Sequence, residues 1–277
     1  MNIEEIIKNA LIEDIGEGDH TTLSTVPADA VKHARMLAKQ EGILCGTEIA
    51  AKVFQTIDPN LTVEILRHDG EFVVAGDVIL RVSGNARAIL TGERTALNFI
   101  QRMSGIATKT HFLLKKTEGT KVKLLDTRKT TPLLRELEKY AVKCGGANNH
   151  RFGLFDMMLI KDNHVDFAGG IKAAIVSAND YLTTHGKTLQ IEIEVRNFDE
   201  LREALQTENI HRIMLDNFTP EQICKALTII DGKYPVEASG GITEENIRQY
   251  AETGVDYISV GALTHHIKSL DISLLAD

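Results

Sequence analysis

Cationic and imidazole side chains are concentrated in one stretch of this chain, between Lys121 and Asp162. The stretch holds nine Lys and Arg residues against five Asp and Glu, whereas the chain of 277 residues carries a net charge of -8. A basic stretch in an acidic body predicts a pocket for a small, highly charged anion, because a nucleic acid would require an extended basic face. The candidate lining residues are Arg128, Lys129, His150, Arg151 and Lys161. Most of them stand at the ends of short apolar runs.

Two carboxylates, Glu194 and Asp216, occur among apolar residues further along the chain. Burying an unpaired carboxylate is costly, so one interpretation is that both acids neutralise neighbouring Lys and Arg side chains. The other interpretation is that they bind a hard divalent cation or sugar hydroxyls and stabilise positive charge in a transition state. A pure anion receptor would gain nothing from carboxylates at a basic mouth, which favours an enzyme over a binding module.

Small residues end the last two apolar runs of the chain. Ser239-Gly240-Gly241 ends the first of them, and Val260-Gly261-Ala262 ends the second. Barrel enzymes commonly hold phosphate on backbone N–H groups at this position. The pair of motifs therefore predicts a phosphate site that includes Ser239, Gly240 and Gly261.

The region from Lys121 onward alternates short apolar runs with helix-start signals at Asn197, Thr219 and Thr243, which is typical of a parallel α/β architecture. In such a fold all strands end at one face, so the candidate residues would converge there. Six strands favour an incomplete or seven-stranded barrel over a closed eight-stranded one, and a doubly wound open sheet is the alternative. The predicted strands are Val122–Leu125, Met157–Ile160, Ile191–Val195, Ile213–Leu215, Val236–Ala238 and Tyr257–Val260.

The first 105 residues follow a different pattern, with extended runs separated by glycines after an amphipathic first helix. This pattern predicts an α+β layer with a largely antiparallel sheet. A helix from about Ala86 to Ser104 leads into the second half. Its polar face carries Arg94, Asn98, Gln101 and Arg102. We interpret this face either as solvent-exposed or as facing a partner subunit. We predict an N-terminal domain at residues 1–105, with residues 268–277 as a candidate addition to it, and a catalytic domain at residues 106–267.

Composition indicates the general class of protein. The sequence has no apolar run of about 18 residues and no cleavable leader, so we expect a cytoplasmic protein. Its three cysteines are widely spaced, and we expect reduced packing residues rather than metal ligands.

An ordered set of motifs resembles the quinolinate phosphoribosyltransferase family, also called nicotinate-nucleotide pyrophosphorylase. The resemblance covers nearly the whole chain, including Glu13-Asp14-Ile15-Gly16-Glu17-Gly18-Asp19 near its start. The later motifs are Glu93-Arg94-Thr95, Ser104-Gly105-Ile106-Ala107-Thr108, Asp126-Thr127-Arg128-Lys129-Thr130, Asn149-His150-Arg151, Ile160-Lys161-Asp162-Asn163-His164, Leu215-Asp216-Asn217-Phe218, Ser239-Gly240-Gly241 and Ser259-Val260-Gly261-Ala262-Leu263-Thr264-His265.

The resemblance implies a fold and a reaction. The fold is that of the type II phosphoribosyltransferases, an N-terminal α/β sandwich domain followed by an incomplete, open α/β barrel. The protein would be a homodimer, or a higher oligomer, in which one subunit's sandwich covers its partner's barrel mouth. The reaction would convert quinolinate and phosphoribosyl pyrophosphate to nicotinate mononucleotide, pyrophosphate and carbon dioxide, with Mg²⁺, in de novo NAD synthesis.

The resemblance also implies roles for the site residues. Arg128, Lys129, His150, Arg151 and Lys161 would bind the carboxylates of quinolinate and the pyrophosphate, joined by Arg94 of the neighbouring subunit. Glu194 and Asp216 would face the ribose and the metal, and Lys129, Lys161, Glu194 and Asp216 would be the catalytic set. Ser239, Gly240 and Gly261 would bind the 5-phosphate. Two other enzyme assignments stay open: a ModD-like paralogue of molybdate-transport operons, and a barrel enzyme acting on another sugar phosphate.

Overall fold

A computed structural model describes residues 2–277, which form two compact units. The first unit comprises the chain up to Phe112 together with Thr130–Gly146 and Leu263–Asp277. The second comprises Leu113–Lys129 and Ala147–Ala262, so it is inserted into the sequence of the first. No helix within residues 2–277 has the length and apolar character needed to cross a bilayer.

An antiparallel sheet of four strands forms the centre of the first unit. Its strands lie in the order β12-β1-β5-β3, so the last strand of the chain pairs with the first. Along β1, Ala34, Met36 and Ala38 are buried, as expected for side chains that alternate between the two faces of a strand. The strands of the unit, including a separate β2-β4 pair, are β1 (Val31–Ala38), β2 (Gly42–Ile43), β3 (Thr62–Ile65), β4 (Phe72–Val73), β5 (Val78–Asn85) and β12 (Ile272–Ala276).

Helices cover this sheet and share its core. Asn2 and Glu5 form a capping box that starts the first helix, and Phe54 of the third helix is fully buried. The helices are α1 (Ile3–Ile15), α2 (His20–Thr25), α3 (Thr47–Ile57), α4 (Ala86–Lys116), α5 (Arg135–Cys144) and α11 (Ala262–His265), the last of which begins at the end of the second unit.

Helix α4 begins where it was predicted but continues to Lys116, so the predicted end at Ser104 is wrong. Gly105 lies within the helix, where its lack of a side chain lets the backbone at Lys268 approach. The polar face of α4 is only partly exposed. Gln101 donates to the Ile272 carbonyl at 2.7 Å, and Arg102 donates to the buried Glu138 carboxylate at 2.6 Å.

Six parallel strands form the sheet of the second unit, in the order β6-β11-β10-β9-β8-β7. Within the described residues β6 and β7 are the sheet's two edges, and a single bridge from Leu125 to Asn148 lies beyond β6. The open, parallel arrangement confirms the predicted fold class. The sequence predicted all six strands to within one residue at each end. They are β6 (Lys123–Leu125), β7 (Met158–Ile160), β8 (Ile191–Val195), β9 (Arg212–Asp216), β10 (Val236–Ser239) and β11 (Tyr257–Ser259).

Helices connect these strands, and most begin at the predicted caps. Asn197 accepts from the Glu200 N–H, and Thr219 forms a capping box with Gln222. The helix start predicted at Thr243 is wrong. The Thr243 N–H donates to the Asn246 side chain across a turn, and the helix begins only at Ile247. The helices are α6 (Asp162–Ala168), α7 (Ile171–Thr184), α8 (Phe198–Leu205), α9 (Pro220–Ile230) and α10 (Ile247–Glu252).

Gly105 allows a stability prediction with a matched control in the same helix. Replacing glycine by alanine inside a helix normally stabilises the folded protein. A Cβ at Gly105, however, would lie 3.0 Å from the Ser269 Cα and closer still to the Lys268 carbonyl oxygen. Because backbone has to move, we expect Gly105→Ala to cost roughly 1–3 kcal/mol of unfolding free energy. Gly92→Ala would meet the Cδ1 atoms of Ile57 and Phe54 at 3.0 Å, so side chains rather than backbone have to move. Urea unfolding midpoints should therefore fall much more for Gly105→Ala, and equal midpoints would contradict this packing.

Candidate active site

A cavity of about 320 Å³ opens at the carboxyl ends of the parallel strands in the second unit. Six of its lining residues were predicted from the sequence: Arg128, Lys129, His150, Arg151, Lys161 and Ser239. Five others were not: Thr127, Leu159, Met214, Glu237 and Ser259. The convergence of strand ends thus brings together residues that are more than a hundred positions apart in the sequence.

A buried acid connects two of the loops that line the cavity. Asp126 directly follows β6, and its carboxylate accepts from the Asn149 side chain at 2.5 Å and from the His150 N–H at 2.8 Å. The segment after β6 is held further by a bond of 3.0 Å from the Lys129 N–H to the Thr127 hydroxyl. These bonds fix the Asp126–Lys129 run against the Asn149–Arg151 run, so their cationic side chains share one wall.

Two guanidinium groups lie close together on that wall. Burial lowers the pKa of Arg151, and the neighbouring positive charge of Arg128 lowers it further. The Arg151 side chain also donates to the Met157 carbonyl at 3.2 Å, which directs it toward the cavity lining. Adjacent guanidinium groups repel each other, and an anion with two acceptor groups would relieve that repulsion through paired hydrogen bonds.

Lys161 and Glu194 form an ion pair at the ends of β7 and β8. The ammonium nitrogen lies 3.4 Å from a Glu194 carboxylate oxygen, and the Lys161 N–H donates to His164 at 3.0 Å. Burial raises the pKa of Glu194; Lys161 lowers it, and the negative charge of Asp216 on the next strand raises it again. Two carboxylates that repel each other in this way are a suitable oxygen donor set for a hard cation such as Mg²⁺.

The predicted phosphate residues lie at the ends of β10 and β11. Gly240 has φ +87°, and a Cβ there would clash with the Asn217 side chain and lie 2.9 Å from its backbone nitrogen. Asn217 itself donates from its backbone to the Ser239 carbonyl at 2.8 Å and from its side chain to Asp216 at 2.6 Å. A glycine is therefore required beside the Asp216 loop. Gly261 directly follows Val260, whose N–H donates to the Leu125 carbonyl at 2.9 Å.

Arg94 is the one predicted site residue that belongs to the first unit. It lies on α4 with its side chain exposed, and it is not among the residues that line the cavity. Its predicted role in a neighbouring subunit's site stays a prediction.

Sequence reasoning missed a buried charged cluster on β8, β9 and β10. Glu192 and Glu237 are fully buried, and their carboxylates lie 3.1 Å and 3.3 Å from the His150 Nε2. Arg212 donates to Glu237 at 3.0 Å, and its guanidinium lies 4.2 Å from the centre of the Tyr257 ring. One signal was available: Glu192 precedes Glu194 by two residues in a strand, so both side chains point to the same face.

Near neutral pH the cluster binds one more proton than its side chains would bind when exposed to water. Burial opposes charge on His150, but its interaction with the two neighbouring carboxylates outweighs burial and raises the His150 pKa to about 9. Burial and the charge of Glu237 raise the pKa of Glu192 to about 7. These are two locations for the same proton, and the Arg151 N–H that donates to His150 Nδ1 at 2.7 Å favours the Glu192 location.

A larger cavity of about 600 Å³ lies at the amino-terminal ends of the strands in the same unit. Its Lys121 is paired with Asp256 at 2.8 Å, and tyrosine and aliphatic side chains form much of the remaining lining. The smaller cavity is the better candidate because charge, rather than volume, distinguishes a site for a small anion.

The open parallel sheet and its cationic cavity are those of an α/β protein with a site for small anions. Residues 19–104 match the family model for the N-terminal domain of quinolinate phosphoribosyl transferase, and residues 106–275 match that for its C-terminal domain. The chain belongs to the quinolinate phosphoribosyl transferase family, whose members are pentosyltransferases.

Similar proteins cover nearly the full length of the chain. A nicotinate-nucleotide pyrophosphorylase (carboxylating) of Arabidopsis thaliana is 43% identical over 100% of this chain and 83% of its own length. A probable nicotinate-nucleotide pyrophosphorylase (carboxylating) of Bacillus subtilis is 41% identical over 99% of this chain and 93% of its own. The solved structure of the Francisella tularensis nicotinate-nucleotide pyrophosphorylase is 44% identical, covers 99% of this chain and 96% of its own, and has a TM-score of 0.93.

The extra proton of the cluster leads to a pH prediction. Above the ordinary histidine pKa of 6.5 an unfolded chain has lost this proton, whereas the folded protein keeps it until a pH between about 7 and 9. The folded state then binds more protons, so its stability should fall as the pH rises through this window, by at most about 1.4 kcal/mol per pH unit.

Urea unfolding at pH 6.5, 7.5 and 8.5 measures this slope. Glu192→Gln removes the negative charge that requires the proton, and should flatten the fall. A wild-type stability that stays level or rises over this range would contradict the proton assignment.

Proposed function

We propose that this chain transfers the phosphoribosyl group of phosphoribosyl pyrophosphate to quinolinate with loss of carbon dioxide. The products are nicotinate mononucleotide and pyrophosphate, in NAD biosynthesis. The observation that carries the proposal is a single cavity lined by Arg128, Arg151 and Lys161, the last of which forms an ion pair with Glu194. The names of relatives that match over the whole chain support the same reaction.

The cations of the cavity would bind the two carboxylates of the acceptor, quinolinate, and also the pyrophosphate of the donor. Arg128, Lys129, Arg151 and Lys161 line the same space, and planar guanidinium groups match carboxylates in a two-point arrangement. Loss of carbon dioxide at the ring carbon next to nitrogen leaves negative charge there. The ring nitrogen becomes positively charged once it carries the ribose, and this charge offsets the negative charge.

On the donor side, Glu194 and Asp216 would face the ribose, and Ser239, Gly240 and Gly261 would hold its phosphate on backbone N–H groups. Departure of pyrophosphate leaves positive charge on the anomeric carbon, which a nearby carboxylate stabilises while the cations hold the leaving group. Glu194 and Asp216 also fit Mg²⁺, because their mutual repulsion would be relieved by a hard cation. When bound, Mg²⁺ would neutralise pyrophosphate charge. The mechanism requires no covalent nucleophile.

We further propose that the active unit is a homodimer. The second unit exposes large apolar side chains directly after the cationic residue Arg151 and another on α6, and exposed apolar side chains of this kind commonly mark protein interfaces. These side chains are Phe152 at 41% exposure, Leu154 and Phe155 at 71% each, and Phe167 at 90%. Contact with a second copy would cover them, and would allow Arg94 of the partner subunit to reach the cavity.

Product analysis tests the proposed reaction. Incubation with quinolinate, phosphoribosyl pyrophosphate and Mg²⁺ should give nicotinate mononucleotide, identified by mass, and nicotinate should be a poor acceptor. A monocarboxylate leaves one guanidinium facing no anion, and an unpaired charged group costs about 1–3 kcal/mol or more. Rates for the two acceptors should be compared at equal concentration. Comparable turnover of nicotinate, or no ribosylation of quinolinate, would overturn the proposed substrate.

Mixing two inactive variants tests the shared site. Arg94→Ala and Lys161→Ala should each nearly abolish activity, because Arg94 is expected to act in the partner's cavity and Lys161 in its own. A mixed dimer then contains one doubly damaged site and one intact site. Random exchange makes about half of the dimers mixed, each with one working site, so roughly a quarter of wild-type activity should return.

The exchange experiment gives a different result if Arg94 does not act in the partner's cavity. If Arg94 served the site of its own subunit, every site in a mixed dimer would carry a lesion and activity would stay absent. Subunits should be exchanged by mild denaturation and refolding, with mixed dimers counted by native mass spectrometry. Each variant refolded alone serves as the control.

A further inference from the structure

The buried cluster of His150, Glu192, Glu237 and Arg212 has no assigned role in the reaction. Two of its members, His150 and Glu237, line the cavity, whereas Glu192 and Arg212 do not. The side chains of Glu192 and Glu237 are 0% exposed, and those of His150 and Arg212 are 6% and 18% exposed. The cluster therefore joins the interior of the sheet to the wall of the site.

Stability does not explain why such a cluster exists. Burying a carboxylate costs several kcal/mol even after the surroundings relax, and exchange of a buried ion pair for apolar residues often leaves stability equal or higher. Here two carboxylates are buried side by side under a cavity whose predicted ligands are anions. Departures of this kind from ordinary core composition are expected where a protein has a functional requirement.

The contacts run in one direction, from the sheet to the cavity. Arg212 donates to Glu237 at 3.0 Å, and the carboxylates of Glu237 and Glu192 lie 3.3 Å and 3.1 Å from His150 Nε2. The other ring nitrogen, Nδ1, accepts from the Arg151 N–H at 2.7 Å. Both nitrogens of His150 thus contact protein groups, so its ring links the buried acids to the backbone of Arg151.

We propose that Glu192 and Glu237 are positioning residues for the dicarboxylate side of the cavity. Through the His150 ring they fix the backbone of Arg151, and with it the guanidinium that binds a substrate carboxylate. The inference rests on the proposed function, since it assigns the cluster to quinolinate rather than to the phosphoribosyl donor. His150 then acts on the substrate through Arg151 rather than as a free hydrogen-bond donor to it.

Binding calorimetry with Glu237→Gln separates this role from a general structural one. The substitution keeps the size of the side chain but removes the charge that orients His150 and pairs with Arg212. Kd for quinolinate should rise about tenfold, which corresponds to one lost charged hydrogen bond. Kd for phosphoribosyl pyrophosphate should change less, because Arg151 is only one of several cations proposed for its pyrophosphate and the groups proposed to hold the ribose and its 5-phosphate do not lie on the Asn149–Arg151 segment. Glu252→Gln, an exposed acid on α10, is the matched control and should alter neither value.

A double-mutant cycle shows whether the effect passes through His150. If Glu237 acts by holding that ring, Glu237→Gln should add little further loss in a His150→Gln background. Additive losses, or equal weakening of both substrates, would instead indicate a general distortion of the unit and overturn the inference. Glu192→Leu, which removes the acid group beside His150 Nε2, gives a second, independent cycle with the same expectation, so the test does not depend on one variant folding.

The outcomes also separate this inference from the proposed function. Calorimetry needs no turnover, so a wild-type protein that binds quinolinate without ribosylating it would overturn the function and leave the positioning role standing. If the wild type is active and Glu237→Gln binds quinolinate as tightly as the wild type, the positioning role fails and the function is unaffected.

Discussion

Parallel pairing of the six strands is the constraint on which the site depends. Because the carboxyl ends of all six strands lie on the same side of the sheet, residues at the ends of β6, β7, β8, β9 and β10 meet although the chain between them is long. Hydrogen bonds then fix the individual loops, as Asp126 does for the segment of His150 and as Asn217 does between Asp216 and Ser239. The sheet supplies convergence, and these few bonds supply the orientation that chemistry needs.

Charge is arranged in layers around the cavity. Guanidinium and ammonium groups line it, Glu194 and Asp216 lie at one side, and Glu192 and Glu237 lie within the sheet. The inner acids hold His150 and are themselves balanced by Arg212 and one extra proton. A cavity built in this way can attract a dicarboxylate while it keeps each cation in a fixed place.

The sequence predicted the parts of the structure that are set by local pattern. Six strands were located because apolar β-branched runs alternate with capped helices, and Asn197 and Thr219 mark true helix starts. Two helix ends were predicted wrongly: α4 continues through Gly105, which packs against the backbone at Lys268, and α10 begins at Ile247 because a local bond from Thr243 to Asn246 holds a turn before it. Glu237 and Arg212 were missed because their partners lie on neighbouring strands, and strand order cannot be read from spacing along one chain.

The pairing of β12 with β1 has a consequence for how the protein folds. Ala34 pairs with Ala276, so the antiparallel sheet is complete only when the last residues of the chain are available. All six strands of the parallel sheet lie between these two partners in sequence, so a growing chain can form that sheet while the other still lacks one edge. Contacts between such distant positions form slowly, and an unpaired edge strand can pair with another chain. During synthesis β1 therefore has an exposed edge until Ile272–Ala276 has been made.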